Sequence, residues 1–240
     1  VSGLGILMST TVGVVSRGDA EALKLAKLLL SSLRELDPWR RLLAALISVN
    51  AWNLSYELEL AWILFQLEPQ FILERASPET LAYLLMGRVR NTVNALGGLY
   101  SAAKVSKELD EILSLAKREP ELARELLVRK VYGLGRKGAS MFLRDSGVKG
   151  LYPLDRHVLR WVYGDLTESE MCRIWASSAR YREAELRFEE KSRREHAGLD
   201  PALVNILIFV QGARSLSTYT VIEYINCVKF FTQQSARRSA

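Results

Sequence analysis

Cysteine is scarce in this chain: Cys172 and Cys227 are isolated from each other and from any metal-ligand spacing. That argues against a disulfide framework and a zinc or iron–sulfur cluster, and it sets the expectation of an intracellular protein without a metal or other cofactor. No stretch alternates apolar and polar residues for long enough to make a convincing strand, which disfavours a sheet. No apolar run is long enough to span a bilayer. Val1 to Val15 is apolar, but it is short, broken by Gly and Thr and without a basic leader, so a small packed or frayed segment and no membrane association are expected. Linkers and internal repeats are missing as well. Proline is sparse, six in 240 residues, and Pro38, Pro78, Pro120 and Pro201 stand where a helix can begin.

What remains is helix-forming. Hydrophobic residues make up 49% of the chain, with Leu and Ala prominent. The net charge of +6 suits a polyanionic partner without proving one. Apolar spacing and capping residues predict helices over about 20–35 (capped by Asp19), 38–49, 56–66, 78–86, 91–113 and 120–130. Further on they predict 137–145, 156–163 (ended by Gly164), 168–175 (opened by the capping box Thr167-Glu-Ser-Glu170), 202–211 and 218–231. Residues 180–195 mix Arg, Glu and Lys at helical spacing and read as a solvated face laced with ion pairs.

The informative stretch is Val131-Tyr-Gly-Leu-Gly-Arg-Lys-Gly-Ala-Ser-Met-Phe-Leu-Arg144, followed by Tyr152-Pro-Leu-Asp-Arg-His-Val-Leu-Arg160. Gly133 and Gly135 provide a tight turn that feeds straight into a helix, whose unpaired N–H groups form a phosphate site. Lys137 falls in the first turn of that helix, where the dipole disfavours a cation and favours a free amine, the form that acts as a nucleophile. Asp155 is a natural N-cap for the next helix, and that can be its whole role. Yet a helix from Lys137 to Asp145 is roughly 13 Å long. The segment from Ser146 to Leu154 can retrace that length, so Lys137 and Asp155 can meet at one end of the hairpin.

These segments, with Ala123-Arg-Glu-Leu-Leu-Val-Arg129 before them, resemble the helix-hairpin-helix DNA glycosylase superfamily. The likeness is to the archaeal 8-oxoguanine DNA glycosylase/lyases of the second type. It is dense over about residues 121–162 and thinner over 38–120 and 200–215. The resemblance implies an all-α fold of two helical subdomains with a cleft between them. Residues 38–148 would form the barrel-like subdomain, and residues 1–37 with 149–240 the second. It further implies a monomer acting in the cell, at the nucleoid, on double-stranded DNA with a damaged base. Relatives such as endonuclease III carry a four-cysteine iron–sulfur cluster, which this chain lacks the ligands to hold.

By the same resemblance Lys137 attacks the sugar of an extruded nucleotide and Asp155 assists, giving glycosylase and lyase activity together. Asn50, in the turn Ser48-Val-Asn-Ala-Trp-Asn53, matches the residue that fills the gap left by the extruded base. The bland alternative is an ordinary capped turn. Arg88 and Arg90 are either solvated or contacts to the opposite strand. Gly133, Gly135, Arg136, Arg144, Arg156 and Arg160 are candidates for the phosphate grip. His157 is equally a packing residue or a phosphate contact. The base pocket departs from the family. Its aromatic position becomes Leu207 and its C-terminal lysine position becomes Leu216, with Phe209 and Gln211 as possible substitutes. Oxidised guanine is therefore the first expectation. Another damaged base, a lyase on abasic sites, and a non-catalytic DNA clamp remain as alternatives.

Overall fold

The computed structural model describes residues 17–51, 53–212 and 218–238. Among these the chain is helical throughout, with no named strand and one isolated antiparallel bridge, between Ala51 and Val89. The helices are α1 (Arg17–Glu35), α2 (Pro38–Asn50), α3 (Leu54–Leu64), α4 (Pro69–Glu74), α5 (Pro78–Leu85), α6 (Thr92–Val105), α7 (Leu109–Ala116) and α8 (Pro120–Lys130). They continue with α9 (Gly135–Asp145), α10 (Arg156–Tyr163), α11 (Glu168–Ala176), α12 (Ser178–Glu195), α13 (Pro201–Gly212) and α14 (Thr218–Arg238). No helix is long and apolar enough to cross a membrane among the described residues.

Local chemistry explains most of the boundaries. Asp37, Asn53, Ser77, Asn91, Asp155 and Thr167 each accept a backbone N–H from the first turn of the following helix. The capping box at Thr167 and Glu170 is complete. Three expectations need correcting. The helix expected over 91–113 is interrupted by a 3-10 turn at Ser106–Glu108, where no proline or glycine announces a break. α4 escaped the sequence reading, although Pro69 at its first turn was the available signal. Asp19 lies within the first turn of α1 rather than ahead of it. The stretch Val1 to Val15 lies outside the described residues.

Two apolar clusters organise the packing. The larger joins α1 to α9 with α14 and one face of α13. The smaller joins α10, α11 and α12 with the other face of α13, through Val204 and Ile208. α13 is thus the shared wall, apolar on both sides because both sides are covered. α1 packs on α13 and α14, and α14 closes on α3.

α12 corrects the reading of residues 180–195 as a solvated face. Its outer side does carry i,i+4 pairs, Arg187 with Glu183 and Arg193 with Glu189. Its inner side buries Tyr181, Ala184, Glu185 and Phe188. Burial pushes the Glu185 carboxyl up, and the Arg124 guanidinium beside it pulls it back down. Arg124 Nη1 donates to Glu185 Oε1 at 2.7 Å, and the same oxygen accepts the Tyr152 N–H at 2.9 Å. Removing one partner leaves an uncompensated buried charge. Arg124→Met is therefore expected to destabilise the protein by about 3–5 kcal/mol in equilibrium denaturation. Adding Glu185→Gln should restore part of that loss, since the charge goes while an acceptor for Tyr152 remains. Equal stability of the single and double variants would show that the buried charge is not the cause.

Candidate active site

The hairpin is built as its residues require. α8 ends at Lys130, and Gly133 and Gly135 then take φ of 73° and 60°, the left-handed region that side chains avoid. α9 starts at Gly135, so its first N–H groups lack intrahelical partners and point toward solvent at the turn. Lys137 follows within that first turn. Its ammonium enters no ion pair and no hydrogen bond among the described residues.

The last part of the return from α9 to α10, residues 151–154, is buried and irregular, and side chains satisfy its backbone. Arg182 donates to Gly150 O at 2.8 Å, Tyr181 Oη donates to Tyr152 O at 3.1 Å and accepts Leu154 N–H at 3.0 Å. Asn205 Nδ2 donates to Pro153 O at 3.1 Å and Trp175 Nε1 to Leu154 O at 2.7 Å. This run delivers Asp155 to the N-terminus of α10. Its Oδ1 accepts the Val158 N–H at 2.8 Å, and its other oxygen has no partner among the described residues.

Lys137 and Asp155 line one open cleft. The cleft runs past Ser48, Val49, Ala51 and the first turn of α3 (Asn53, Leu54, Glu57), then Arg90, Gly135, Arg136, Arg156, His157, Trp175, Phe209 and Gly212. It opens inward to an apolar cavity walled by Leu29, Leu33, Met141, Pro153, Ile206, Val221 and Tyr224. Ser48, Leu54, Glu57, Lys137, Asp155 and Phe209 line both spaces and so mark the junction. Glu57 is half-buried there. Loss of water pushes its carboxyl up to about 7, against the opposing pull of Lys137, Arg90 and the Ser48 hydroxyl.

A family model described as 8-oxoguanine DNA glycosylase, Ogg-HhH, matches residues 60–196, more than half of the chain. The chain belongs to this family. It is 34% identical over 120 residues to the 8-oxoguanine DNA glycosylase/AP lyase of Thermoplasma volcanium, covering 48% of this chain and 50% of that one. With the protein of the same description from Korarchaeum cryptofilum the identity is 41% over 98 residues, 40% and 45% of the two chains. With that from Thermotoga maritima it is 50% over 54 residues, 22% and 26%. The matched stretches thus span a quarter to a half of these relatives' length. The fold is similar to the crystal structure of the 8-oxoguanine DNA glycosylase of Thermotoga maritima, with TM-score 0.62 and 24% identity over 82% of this chain and 93% of that one. It is also similar to the crystal structure of the Methanocaldococcus jannaschii 8-oxoguanine glycosylase/lyase in complex with 15mer DNA containing 8-oxoguanine, with TM-score 0.60 and 20% identity over 84% of this chain and 94% of that one, a likeness of fold alone.

The remaining family-derived positions divide sharply. Arg90, Gly135, Arg136, Arg156, His157 and Phe209 lie on the cleft. Arg136 is already held by Glu125 at 2.8 and 3.1 Å, and Arg156 by Glu168 at 3.1 Å. Gly133 sits at the exposed turn beside the cleft, and Arg160 is exposed. Arg144 does not add charge to the phosphate grip. It is buried, bound to Asp145 at 2.7 Å and to Asn205 at 2.7 Å. Arg88 is off the cleft, paired with Glu59 at 2.9 Å. Asn50 ends α2 with its Nδ2 bonded to Leu46 O at 2.8 Å, and it lines a small apolar cavity rather than the cleft. Leu207 is buried in the larger core, because Asn205, Ile206 and Phe209 take the cavity-facing side of α13 and Leu207 is turned about 100° from Ile206. Gln211 donates to Asp19 Oδ1 at 3.0 Å. Leu216 lies outside the described residues.

Sequence reasoning missed Glu57. A glutamate in a first helical turn is ordinarily explained by the helix dipole, so it carries no signal of its own. His157 packs tightly on the end of α13: a Cβ at Gly212 would stand 2.5 Å from His157 Nδ1. Gly212→Ala should therefore cost about 1–3 kcal/mol in denaturant unfolding, through displacement of the imidazole. In a His157→Ala background the same change should be close to neutral. An equal cost in both backgrounds would remove this contact as the reason for glycine.

Proposed function

We propose that this chain is a bifunctional DNA glycosylase and abasic-site lyase that removes an oxidised purine, 8-oxoguanine first, through a Lys137 imine. The observation that carries the reading is the junction of cleft and cavity. There an uncommitted lysine and a helix-capping aspartate with one free oxygen share a single opening. Membership of the family supports the same reading.

A base stacked in a duplex is out of reach, so the nucleotide is extruded into the cavity at a cost of a few kcal/mol in lost stacking. The α9 N-terminus at Gly135 holds a phosphate through backbone N–H groups, and Arg90 adds charge at the rim. The Lys137 amine attacks C1′ and the base departs. The sugar ring opens to an imine, which permits elimination of the 3′ phosphate. The Asp155 carboxylate stabilises the positive sugar as it forms. The gap in the duplex is filled from the junction of α2 and α3. Asn50 reaches it by releasing Leu46 O, whereas Asn53 already lines the cleft. The duplex lies across the opening between the 38–148 helices and those of 1–37 and 149–240. The protein works as a monomer on nucleoid DNA inside the cell.

A second reading, excision of another damaged base, draws on the burial of Leu207 at the family's base-recognition position. Borohydride trapping separates these readings. Duplexes carrying 8-oxoguanine, an abasic site or no lesion are incubated with the protein and with Lys137→Gln. A trapped adduct on the 8-oxoguanine duplex, lost in the variant, is expected. An adduct on the abasic duplex alone would favour the second reading, and none on any duplex, with binding intact, would favour a non-catalytic clamp.

Asp155→Asn tests the partner. Asparagine caps helices as well as aspartate does, so the melting temperature should stay near that of the parent protein. Base release should fall by on the order of 100-fold as the negative charge is lost. A collapse of the melting temperature would make Asp155 primarily structural.

A further inference from the structure

The proposed reaction needs a step that Lys137 and Asp155 leave unassigned. An ammonium is not a nucleophile, so Lys137 must lose a proton before it attacks, and a departing purine must gain one. Asp155 already has another task, to stabilise the positive sugar as an anion, while its Oδ1 caps α10 through the Val158 N–H. Glu57 has no capping bond. It stands in the first turn of α3, across the same junction from Lys137, and lines both the open cleft and the apolar cavity.

We propose that Glu57 is the proton-transfer group of this site, accepting a proton from the Lys137 ammonium and delivering one to the departing base. The inference rests on the glycosylase reading above. The Lys137 nitrogen then uses its lone pair to form the bond to C1′ as the C1′–N bond breaks with its electron pair on the base. The proton held by Glu57 neutralises that base. Lysine ends as a positively charged secondary amine, and Glu57 ends as the carboxylate it was at the start.

The surroundings suit this cycle. Burial raises the Glu57 carboxyl to about 7, where it exchanges protons readily at neutral pH. The charged and titratable groups around it are Lys137 and Arg144 from α9, Arg90 before α6, Asp155 before α10, and Tyr224 from α14. Tyr224 stays protonated, its hydroxyl pushed well up by burial and then by Glu57 itself. Arg144 is neutralised by Asp145. Lys137 and Arg90 are the cations that act on Glu57, and both favour the carboxylate. The two carboxyls thus divide the work by position, Asp155 anchored as the cap of α10 and Glu57 without a capping bond at the junction.

The test is single-turnover base release against pH for the full chain, Glu57→Gln and Glu57→Asp on an 8-oxoguanine duplex. In the parent protein the rate should rise with pH through about 7, because the deprotonated carboxyl is the acceptor. Glu57→Gln should lose that limb and about 100-fold in rate at neutral pH. Its deficit should narrow at alkaline pH, where hydroxide in solvent takes the proton in place of the carboxylate. Its DNA affinity should stay within about threefold of the parent, since the group acts on a proton rather than on phosphate. Glu57→Asp should be slower but keep a limb. A Glu57→Gln protein that keeps the parent rate or the parent limb overturns the proposal, as does one that fails to fold while Glu57→Asp lacks a limb. Absence of base release and of trapping in the parent protein would instead remove the glycosylase reading itself.

Discussion

The candidate site depends on a buried carboxylate that lines neither the cleft nor the cavity. Glu185 binds Arg124 of α8 and the Tyr152 N–H of the return segment through the same oxygen. The segment 150–154 is irregular and mostly buried, yet has no strand to pair with among the described residues. Its polar backbone must be satisfied somehow, and α11, α12 and α13 supply the partners as side chains. Because those bonds fix the path of the return, they also fix where Asp155 stands. The Lys137–Asp155 pair is thus held by a polar lattice built behind it, and the energetic stake is high because the lattice is buried.

Charge is distributed to serve the same end. The hairpin is rich in arginine, but most of that charge is spent inside the protein. Arg124, Arg136 and Arg144 are each tied to a carboxylate. Lys137 and Arg90 remain on the cleft without an ion pair among the described residues. An anion entering the cleft therefore meets oriented N–H groups at Gly135 and two uncommitted cations, rather than a diffuse basic surface. The cavity behind them is walled largely by apolar side chains, and such a low-dielectric wall strengthens any charge interaction at its mouth.

Two carboxyls face that mouth and differ in kind. Asp155 is anchored to a helix N-terminus, its Oδ1 accepting the Val158 N–H. Glu57 is desolvated at the edge of the cavity and pulled toward its charged form by neighbouring cations. Such a pairing, one group fixed and one free to change, is the arrangement acid–base chemistry requires.

Much was legible in the sequence because local signals write it there. Caps at Asp37, Ser77, Asp155 and Thr167 place helix starts, since they answer unsatisfied N–H groups within three residues. The glycines at 133 and 135 announce a turn because their backbone angles exclude other residues. Lys137 and Asp155 could be brought together from helix length and chain reach alone. Other features depended on contacts distant in sequence, where local pattern is silent. The mixed charges of α12 look the same whether a glutamate faces water or Arg124, and Arg144 looks like any surface arginine until Asn205 arrives from α13. Asn50 and Leu207 were placed by alignment along the chain, whereas helical rotation decides which side chain meets a cavity. Sequence by itself determined the all-helical fold, the hairpin and the lysine. Tertiary structure alone decided which charges are neutralised, which carboxyl is desolvated and what the cavity is lined with, because burial and charge pairing are properties of neighbours that the chain brings together only on folding.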